Sequence, residues 1–235
     1  MKIIHFKEIN STNTYLKENY KRLDNLTVVV ADHQTSGKGR LGRTWIDNDD
    51  LLFSILIKEK LEKPTDYSLL IASTLLKVFR DLDASVKWPN DIMINDKKVC
   101  GILLEAVSDE TIKCVIIGVG INVNTEVFPE ELMTKASSLK IITNKKVDKK
   151  KLLEEVVDRF KCEFEEYKKD ESDYLNNIKD HFYLSNKVVS FDYENMRQEG
   201  TVLGLNNDGS IIIKINQKIV NLSSGEVTFE KIYQK

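Results

Sequence analysis

The chain has few of the residues that build disulfide frameworks, metal centres or membrane spans. Its 235 residues include only three cysteines, and Cys100, Cys114 and Cys162 do not have the spacing of metal ligands. A small, odd number of cysteines is typical of a reducing compartment. No hydrophobic run approaches the length of a membrane span, and the apolar start at Met1–Ile4 is too short for a signal peptide. These absences predict a cytoplasmic protein without a membrane partner.

A large excess of charge of one sign is also absent. The 35 Lys and Arg residues nearly balance 37 Asp and Glu residues, which gives a net charge of −2. This balance argues against a general nucleic-acid surface, so we expect no DNA partner. The hydrophobic content of 41% is sufficient for a core, and the length predicts one large domain, alone or with a small second domain.

The most distinctive stretch is a glycine-rich basic loop at Ala31–Trp45. Three glycines alternate with Lys38, Arg40 and Arg43, and the apolar run Thr27–Val30 before them predicts a buried strand. Glycines allow close approach of a ligand and the cations attract an anion, so a phosphate group fits such a loop. The glycine spacing also matches a dinucleotide fingerprint, but a strand and not a helix is predicted to follow it. A solvated basic hairpin remains the plain alternative.

Alternating and apolar runs predict strands, and helical spacing predicts helices. The residues Asn10–Asn13 are good helix caps, but a helix start also offers free N–H groups to a ligand, so both interpretations stay open. Glycines at 118 and 120 inside a predicted strand indicate close approach of a ligand or of a neighbouring helix. In chain order, the predicted strands of the first part are Ile3–Phe6, Thr27–Val30, Leu51–Ile57, Ile92–Ile94, Val99–Glu105 and Cys114–Ile121, with helices from Pro64 to about Leu82, from Asp148 and within Asp170–Tyr183.

The pattern changes after about Leu184. Five short strand-like runs follow within about fifty residues, with a clear turn at Asn206–Gly209, which predicts a small β-barrel. These runs are Val188–Tyr193, Gly200–Leu205, Ser210–Ile215, Lys218–Leu222 and Val227–Phe229. We therefore predict two domains, 1–184 and 185–235.

Several motifs, taken in order, resemble those of biotin protein ligases, also called biotin–[acetyl-CoA-carboxylase] ligases. They are Ser11–Asn13, Gln34 with Gly37–Arg43, Lys87–Asp91 (Lys-Trp-Pro-Asn-Asp), Lys98–Glu105, Gly118–Asn122 and, in the small domain, Ser224–Val227. Each motif alone is modest evidence, whereas the ordered set is specific and covers essentially the whole chain. Since the pattern begins within the first dozen residues, the resemblance is to the form without an N-terminal DNA-binding domain.

The resemblance implies an α+β fold and a two-step reaction. The fold is a mixed β-sheet catalytic domain with helices on one face, like that of class II aminoacyl-tRNA synthetases and biotin ligases, followed by an SH3-like barrel. The implied reaction uses ATP and Mg²⁺ to convert biotin to biotinyl-5′-AMP, and then transfers biotin to a lysine of a biotin carboxyl carrier protein. A homodimer is also expected.

The resemblance assigns residues to each part of this chemistry. Lys98, Arg40 and Lys38 are the expected catalytic cations, and Asp91 is the expected Mg²⁺ ligand. Without the family pattern, Lys98 and the adjacent Lys97 cannot be told apart, and a solvated turn lysine is the alternative. The expected biotin-binding residues are Ser11, Thr12, Asn13, Gln34, Gly37, Lys38, Gly39, Arg40, Trp45, Lys98, Gly101, Leu103, Gly118 and Gly120. The expected ATP-binding residues are Arg40, Arg43, Trp45, Lys87, Asn90, Lys98 and Asn122.

Two departures and two competing functions accompany this assignment. Lys38 stands where the family often has arginine, which keeps the charge but loses the two-pronged hydrogen bond. Leu41 occupies a position where a further basic residue often sits. The competing functions are a lipoate or octanoate ligase or transferase of the same fold, and a non-enzymatic biotin sensor. The basic loop and the Lys87–Asp91 segment argue against the first, and the retention of Lys98 and Arg40 argues against the second.

Overall fold

The structure is a computed structural model, and it describes residues 1–46, 48–194, 196–223 and 227–228. The part of the Ser224–Val227 motif at 224–226, and the end of the last predicted strand at Phe229, lie outside the described residues. The elements in order are β1 (Ile3–Ile9), α1 (Thr12–Asn19), β2 (Val28–Gln34), β3 (Leu51–Ile57), α2 (Asp66–Val78), β4 (Ser85–Lys87), β5 (Asp91–Ile94), β6 (Lys97–Ser108), β7 (Ile112–Ile121), α3 (Leu139–Thr143), α4 (Lys149–Lys168), α5 (Tyr174–Asp180), β8 (Val188–Tyr193), β9 (Met196–Leu205), β10 (Ile211–Ile215), β11 (Lys218–Leu222) and β12 (Val227–Thr228).

The strands form two separate sheets. Seven strands pair in the order β1-β2-β3-β7-β6-β5-β4, and only β1 and β2 run parallel, so the predicted mixed sheet is confirmed. The last five strands form an antiparallel sheet in the order β11-β10-β9-β8-β12, which confirms the small C-terminal β-domain. The boundary at 184/185 remains a prediction, and it lies between the end of α5 at Asp180 and the start of β8 at Val188.

Strand β3 lies inside the large sheet, between β2 and β7, and is buried on both faces. Every residue of Leu51–Ile57 is buried, as expected of a strand covered from both sides. Phe53 and Ile55 point into the main core with α2, α4 and α5, whereas Leu56 points to the opposite face. The predicted arrangement of helices on one face is therefore confirmed for α2, α4 and α5, whereas α1 lies on the other face of the sheet. Helix α1 packs Leu16 on the opposite face, because the apolar side chains there also need cover.

Helix α4 carries a buried carboxylate against α2. The Glu163 side chain forms an ion pair with Lys77 at an N–O distance of 3.1 Å. Burial raises the pKa of the Glu163 carboxyl, and Lys77 offsets this only in part. A carboxyl whose pKa is higher in the folded state stabilises the fold below its unfolded pKa, and this contribution is lost as the pH rises through the folded pKa. The ionised form of Glu163 therefore costs stability near neutral pH.

Replacing Glu163 by glutamine is expected to raise the thermal midpoint at pH 7, because glutamine removes the buried charge and keeps the shape. The gain should shrink toward pH 4, where the native carboxyl also becomes neutral. Midpoints measured from pH 4 to pH 8 check this, with the exposed Glu155→Gln as the control. A lower midpoint for Glu163→Gln at pH 7 would show that the ion pair with Lys77 outweighs the cost of burial.

The described helices include none that is both long enough and apolar enough to cross a membrane.

The two domains share a direct polar contact. The indole Nε1 of Trp88 donates to the carbonyl of Gly209 in the β9–β10 turn at 3.1 Å. The turn of the small domain therefore rests on the Lys-Trp-Pro-Asn-Asp segment of the large domain.

Candidate active site

Three glycines form a bare patch on the sheet face opposite the main core. Antiparallel pairing places Gly118 of β7 between Ser54 of β3 and Leu103 of β6, and it places Gly120 beside Gly101. Side chains alternate between the faces of a strand, so these positions share one face. Without Cβ atoms there, other groups approach the sheet closely.

Two side chains use this close approach. A Cβ built on Gly118 would lie 2.3 Å from Oδ1 of Asn13, and one built on Gly120 would lie 2.6 Å from Cε2 of Trp45. The Trp45 ring also covers Gly101, where a Cβ would lie 2.7 Å from Cζ3. The resemblance predicted that these glycines make room for the biotin rings. In this structure the indole covers two of them, so a ligand on the bare patch requires Trp45 to move.

The start of α1 forms the polar end of the site. Ser11 caps the helix by accepting a hydrogen bond from the backbone N–H of Thr14 at 3.4 Å. The Thr12 backbone N–H donates to Oε1 of Gln34 at 2.8 Å, and Ser11, Thr12 and Asn13 are nearly fully buried. These residues therefore fit both the helix-cap and the ligand-site interpretation, because Ser11 caps α1 and all three residues line the cavity.

The basic loop is folded back on itself. The Gly39 N–H donates to the Arg43 carbonyl at 2.7 Å, and the Trp45 N–H donates to the Gly37 carbonyl at 3.0 Å. Side-chain hydrogen bonds also tie the loop to the rest of the domain. Lys38 Nζ donates to Thr14 Oγ1 at 3.1 Å, and Arg40 Nη1 donates to Asn90 Oδ1 at 2.9 Å. These bonds hold two of the predicted catalytic cations at the rim of the site.

Lys98 lies at the opposite wall of the site from α1. Its Nζ is 2.7 Å from Oδ1 of Asp91 and 5.5 Å from the centre of the Trp45 ring. The predicted metal ligand Asp91 is therefore the partner of Lys98. The described part of the chain contains no group of three His, Cys, Asp or Glu residues that could hold a metal ion.

A small cavity brings most of the predicted residues together. It has a volume of about 60 Å³, which is narrow compared with the ~300–1,000 Å³ of most ligand pockets. The indole of Trp45 contributes to this narrowness, and its Nε1 is a buried donor without a hydrogen-bond partner among the described residues. The predicted residues that line the cavity are Ser11, Thr12, Asn13, Gln34, Lys38, Gly39, Arg40, Trp45, Asn90, Lys98, Gly101, Leu103, Gly118 and Gly120.

Other predicted residues lie outside this cavity. Gly37 and Arg43 line a more open groove of about 630 Å³ beside it, under the basic loop. Asn122 donates from its side chain to the Ser137 carbonyl at 3.0 Å, which ties it to the neighbouring loop. Lys87 is paired opposite Asp91 in the β4–β5 ladder. Their predicted contacts with ATP stay predictions.

Sequence reasoning missed two polar residues of the site, Ser54 and Glu105. Ser54 is fully buried and bonds to Thr12 and Asn13, each at 2.6 Å. Its signal was present in the sequence, because it is the one polar residue in the apolar strand Leu51–Ile57. Glu105 accepts from Asn13 Nδ2 at 2.9 Å, and nothing in the sequence points to that pairing.

Cys100 lies outside the cavity despite its position two residues after Lys98. It is fully buried and faces the main core, away from the cavity. Burial raises the pKa of its thiol, so the reactive thiolate is disfavoured. The chemistry of the site therefore depends on cations and hydrogen bonds.

The fold and the site place the chain among protein ligases. The model of the biotin/lipoate A/B protein ligase family matches residues 5–122. The chain is similar to the solved structure of a biotin protein ligase from Aquifex aeolicus in complex with biotin and ATP. The TM-score is 0.86 and the sequence identity is 32%, and the match covers 97% of this chain and 98% of the Aquifex chain. The apo structure of the Aquifex protein gives a TM-score of 0.81 at 29% identity, over the same shares.

A curated relative agrees with these structures. The bifunctional ligase/repressor BirA of Bacillus subtilis (strain 168) is 30% identical over an alignment of 223 residues that covers 86% of this chain. The match spans 65% of that relative's length. The chain belongs to the biotin/lipoate A/B protein ligase family.

Proposed function

We propose that the protein is an ATP-dependent biotin protein ligase. It joins the biotin carboxylate to the α-phosphate of ATP, releasing pyrophosphate, and passes biotin from biotinyl-5′-AMP to a lysine of a biotin carboxyl carrier protein. The observation that carries the proposal is one cavity with hydrogen-bonding groups at Thr12 and Gln34 and cations at Arg40 and Lys98. Biotin has a neutral polar ring system at one end and a reacting carboxylate at the other. The hydrogen-bonding groups suit the first end, and the cations suit the second.

The residues of the site support catalysis by charge and alignment. Attack of a carboxylate on a triphosphate brings two anions together, so the reaction needs positive charge more than a proton acceptor. Lys38, Arg40 and Lys98 surround the cavity and supply that charge. Trp45 and the basic loop exclude water from the mixed anhydride once they close over it, which protects the intermediate from hydrolysis.

Mg²⁺ is proposed to arrive with ATP and not to be held by the protein alone. Magnesium usually keeps several waters and binds phosphates with one or two carboxylates. Asp91 is the proposed protein ligand, and its partner in this structure is Lys98. The described residues contain no group of three His, Cys, Asp or Glu side chains that could hold the ion without ATP.

The deciding experiment is ATP–pyrophosphate exchange with purified protein, run in parallel with biotin and with lipoate. Biotin-dependent exchange supports the proposal, and equal exchange with lipoate would favour the alternative ligase. Binding of biotin without any exchange, while a control ligase is active, would favour the biotin sensor.

Further parts of the proposal concern partners and location. The carrier domain is the proposed acceptor of biotin. A second copy of the chain is the proposed dimer partner. The described residues are proposed not to bind DNA. The balanced charge supports the last point. A cytoplasmic location is supported by the cysteines, which are all free, with Cys162 exposed.

The basic loop is expected to be cut rapidly by trypsin without ligand and slowly with biotin and ATP. Lys38 and Arg43 are exposed, and polar bonds rather than buried apolar side chains hold the loop tip. An anionic adenylate would add contacts to its cations. Mass mapping of cleavage after residues 38–43 measures the effect, and the exposed pair Lys145 and Lys146 serves as the control. Equal cleavage with and without ligands would contradict the expectation.

A further inference from the structure

A continuous chain of hydrogen bonds runs from Glu105 to the polar end of the cavity. The Asn13 side chain donates from Nδ2 to Glu105 Oε2 at 2.9 Å. The Ser54 hydroxyl donates to Asn13 Oδ1 at 2.6 Å, and the Ser54 and Thr12 hydroxyl oxygens are 2.6 Å apart. Ser54, Thr12 and Asn13 are all at least 96% buried, so water does not compete for the bonds among these three residues. We call this chain the Glu105 relay.

The chemistry of each group fixes the direction of the relay. A carboxylate can only accept hydrogen bonds, so Glu105 requires the NH₂ group of Asn13 to face it. The amide oxygen of Asn13 then faces Ser54, and it can only accept. The single proton of Ser54 is used on that oxygen, so Ser54 can only accept from Thr12. The single proton of Thr12 therefore goes to Ser54, 2.6 Å away, in preference to Gln34 Oε1, which is the other acceptor within reach at 3.1 Å.

The direction of the relay decides what Thr12 offers to a ligand. With its proton used, Thr12 Oγ1 presents only lone pairs to the cavity. Gln34 Oε1 accepts from the Thr12 backbone N–H at 2.8 Å, and it is the longer, 3.1 Å alternative acceptor for the Thr12 hydroxyl, so either use of that proton leaves Thr12 Oγ1 with lone pairs only. Two acceptor oxygens side by side favour a ligand with N–H donors, and a ligand that presents another acceptor there is repelled.

We propose that Glu105 is a positioning residue for specificity, which makes Thr12 an acceptor for a ligand N–H group through the Glu105 relay. Glu105 borders the open groove and not the cavity, so it acts without touching the ligand there. The ligand class is a cyclic urea or a similar amide with free N–H groups. Its identity as biotin rests on the proposed function.

Gly118 and Lys17 support this arrangement from either side. A Cβ on Gly118 would lie 2.3 Å from Asn13 Oδ1, so the glycine lets the amide lie flat on the sheet. Lys17 Nζ lies 3.5 Å from the other carboxylate oxygen of Glu105. Lys17 adds charge but does not change the direction of the relay, because the carboxylate accepts with or without it. Lys17 is thus a natural control.

The test compares biotin affinity by calorimetry in Glu105→Gln, Ser54→Ala and the double variant. Glutamine can either donate or accept, so Glu105→Gln frees Asn13 to turn over, and Ser54→Ala cuts the relay. We expect each single variant to weaken biotin binding about 10-fold, which corresponds to ~1.4 kcal/mol. The double variant should bind biotin with about the same affinity as the single variant that binds less tightly, because both changes break the same relay.

A second measurement, the preference for biotin over an analogue without ureido N–H groups, separates a change in the hydrogen-bonding direction of Thr12 from general damage to the fold. Wild-type protein should strongly prefer biotin over a biotin analogue with methylated ureido nitrogens, and Glu105→Gln should reduce that preference. Lys17→Gln should change neither quantity by more than about 2-fold, as surface ion pairs contribute little. Additive losses in the double variant, or unchanged affinity and preference in Glu105→Gln, would overturn the proposal.

The relay can be judged even if the proposed function is wrong. Failure of the wild-type protein to bind biotin would refute the proposed function alone. The side-chain NH₂ resonances of Asn13 then report on the relay directly in the ligand-free protein. They should shift in Glu105→Gln and stay in place in Lys17→Gln, and resonances that do not respond to Glu105→Gln would refute the relay.

Discussion

Replacing Lys98 by alanine is expected to slow formation of the adenylate by about 10²–10³-fold, which equals ~2.7–4 kcal/mol of transition-state stabilisation. Lys98 lines the cavity, and its Nζ is held by Asp91 at 2.7 Å beneath the Trp45 ring. A cation fixed in this way stabilises developing phosphate charge without reorganising. Biotin affinity should fall much less, because the polar end of the cavity at Thr12 is left intact.

The neighbouring Lys97 gives a matched control for Lys98. Its Nζ donates to the Met133 carbonyl at 3.0 Å, in an exposed contact. Lys97→Ala should therefore keep nearly full ATP–pyrophosphate exchange. Equal exchange rates in Lys98→Ala and Lys97→Ala would mean that Lys98 is only a turn lysine. Single-turnover measurement of biotinyl-5′-AMP, together with calorimetry for biotin, separates the two steps.

Replacing Phe160 by alanine is expected to lower the free energy of unfolding by about 3–5 kcal/mol. Phe160 of α4 is fully buried and stacks against Phe164 with a centroid separation of 6.1 Å. Truncation removes buried apolar surface and leaves a cavity that the helices cannot fill. A loss of this size is a large part of the ~5–15 kcal/mol that stabilises a typical domain.

Denaturant unfolding measures this loss, with Arg159→Ala as the control. Arg159 is the exposed neighbour on the same helix, and its removal should stay within about 0.5 kcal/mol. Biotin affinity of folded Phe160→Ala should be unchanged, because Phe160 lies in the core on the sheet face opposite the cavity. A large fall in affinity with little loss of stability would show that the two faces are coupled.

The apolar runs were enough to predict most elements. The predicted strands Leu51–Ile57, Val188–Tyr193 and Lys218–Leu222 have the observed bounds, because each is a run of large apolar or alternating residues. Strand β9 was predicted from Gly200 but begins at Met196. Its first residues are mostly exposed and polar, and pairing with β8 holds them in the ladder. Helix α3 was not predicted, since five residues give too little periodicity.

The site was predictable as a set of residues but not as a set of contacts. The motifs named most of the residues that line the cavity, including Gln34, Arg40 and Lys98. They did not indicate that Asp91 pairs with Lys98, or that Asn13 reaches Glu105. Asn13 and Glu105 are 92 residues apart, and only the packing of α1 on the sheet brings them together.

The sequence by itself determined most of the strands and helices, where the basic loop lies and to which family the motifs point. Those features depend on local spacing, which a linear chain records directly. The tertiary structure alone decided that Trp45 lies on Gly101 and Gly120, and that Ser54 connects Thr12 to Asn13. The physical reason is that strand pairing fixes these neighbours: a shift of one residue in β3 or β7 would turn Ser54 or the glycines to the opposite face.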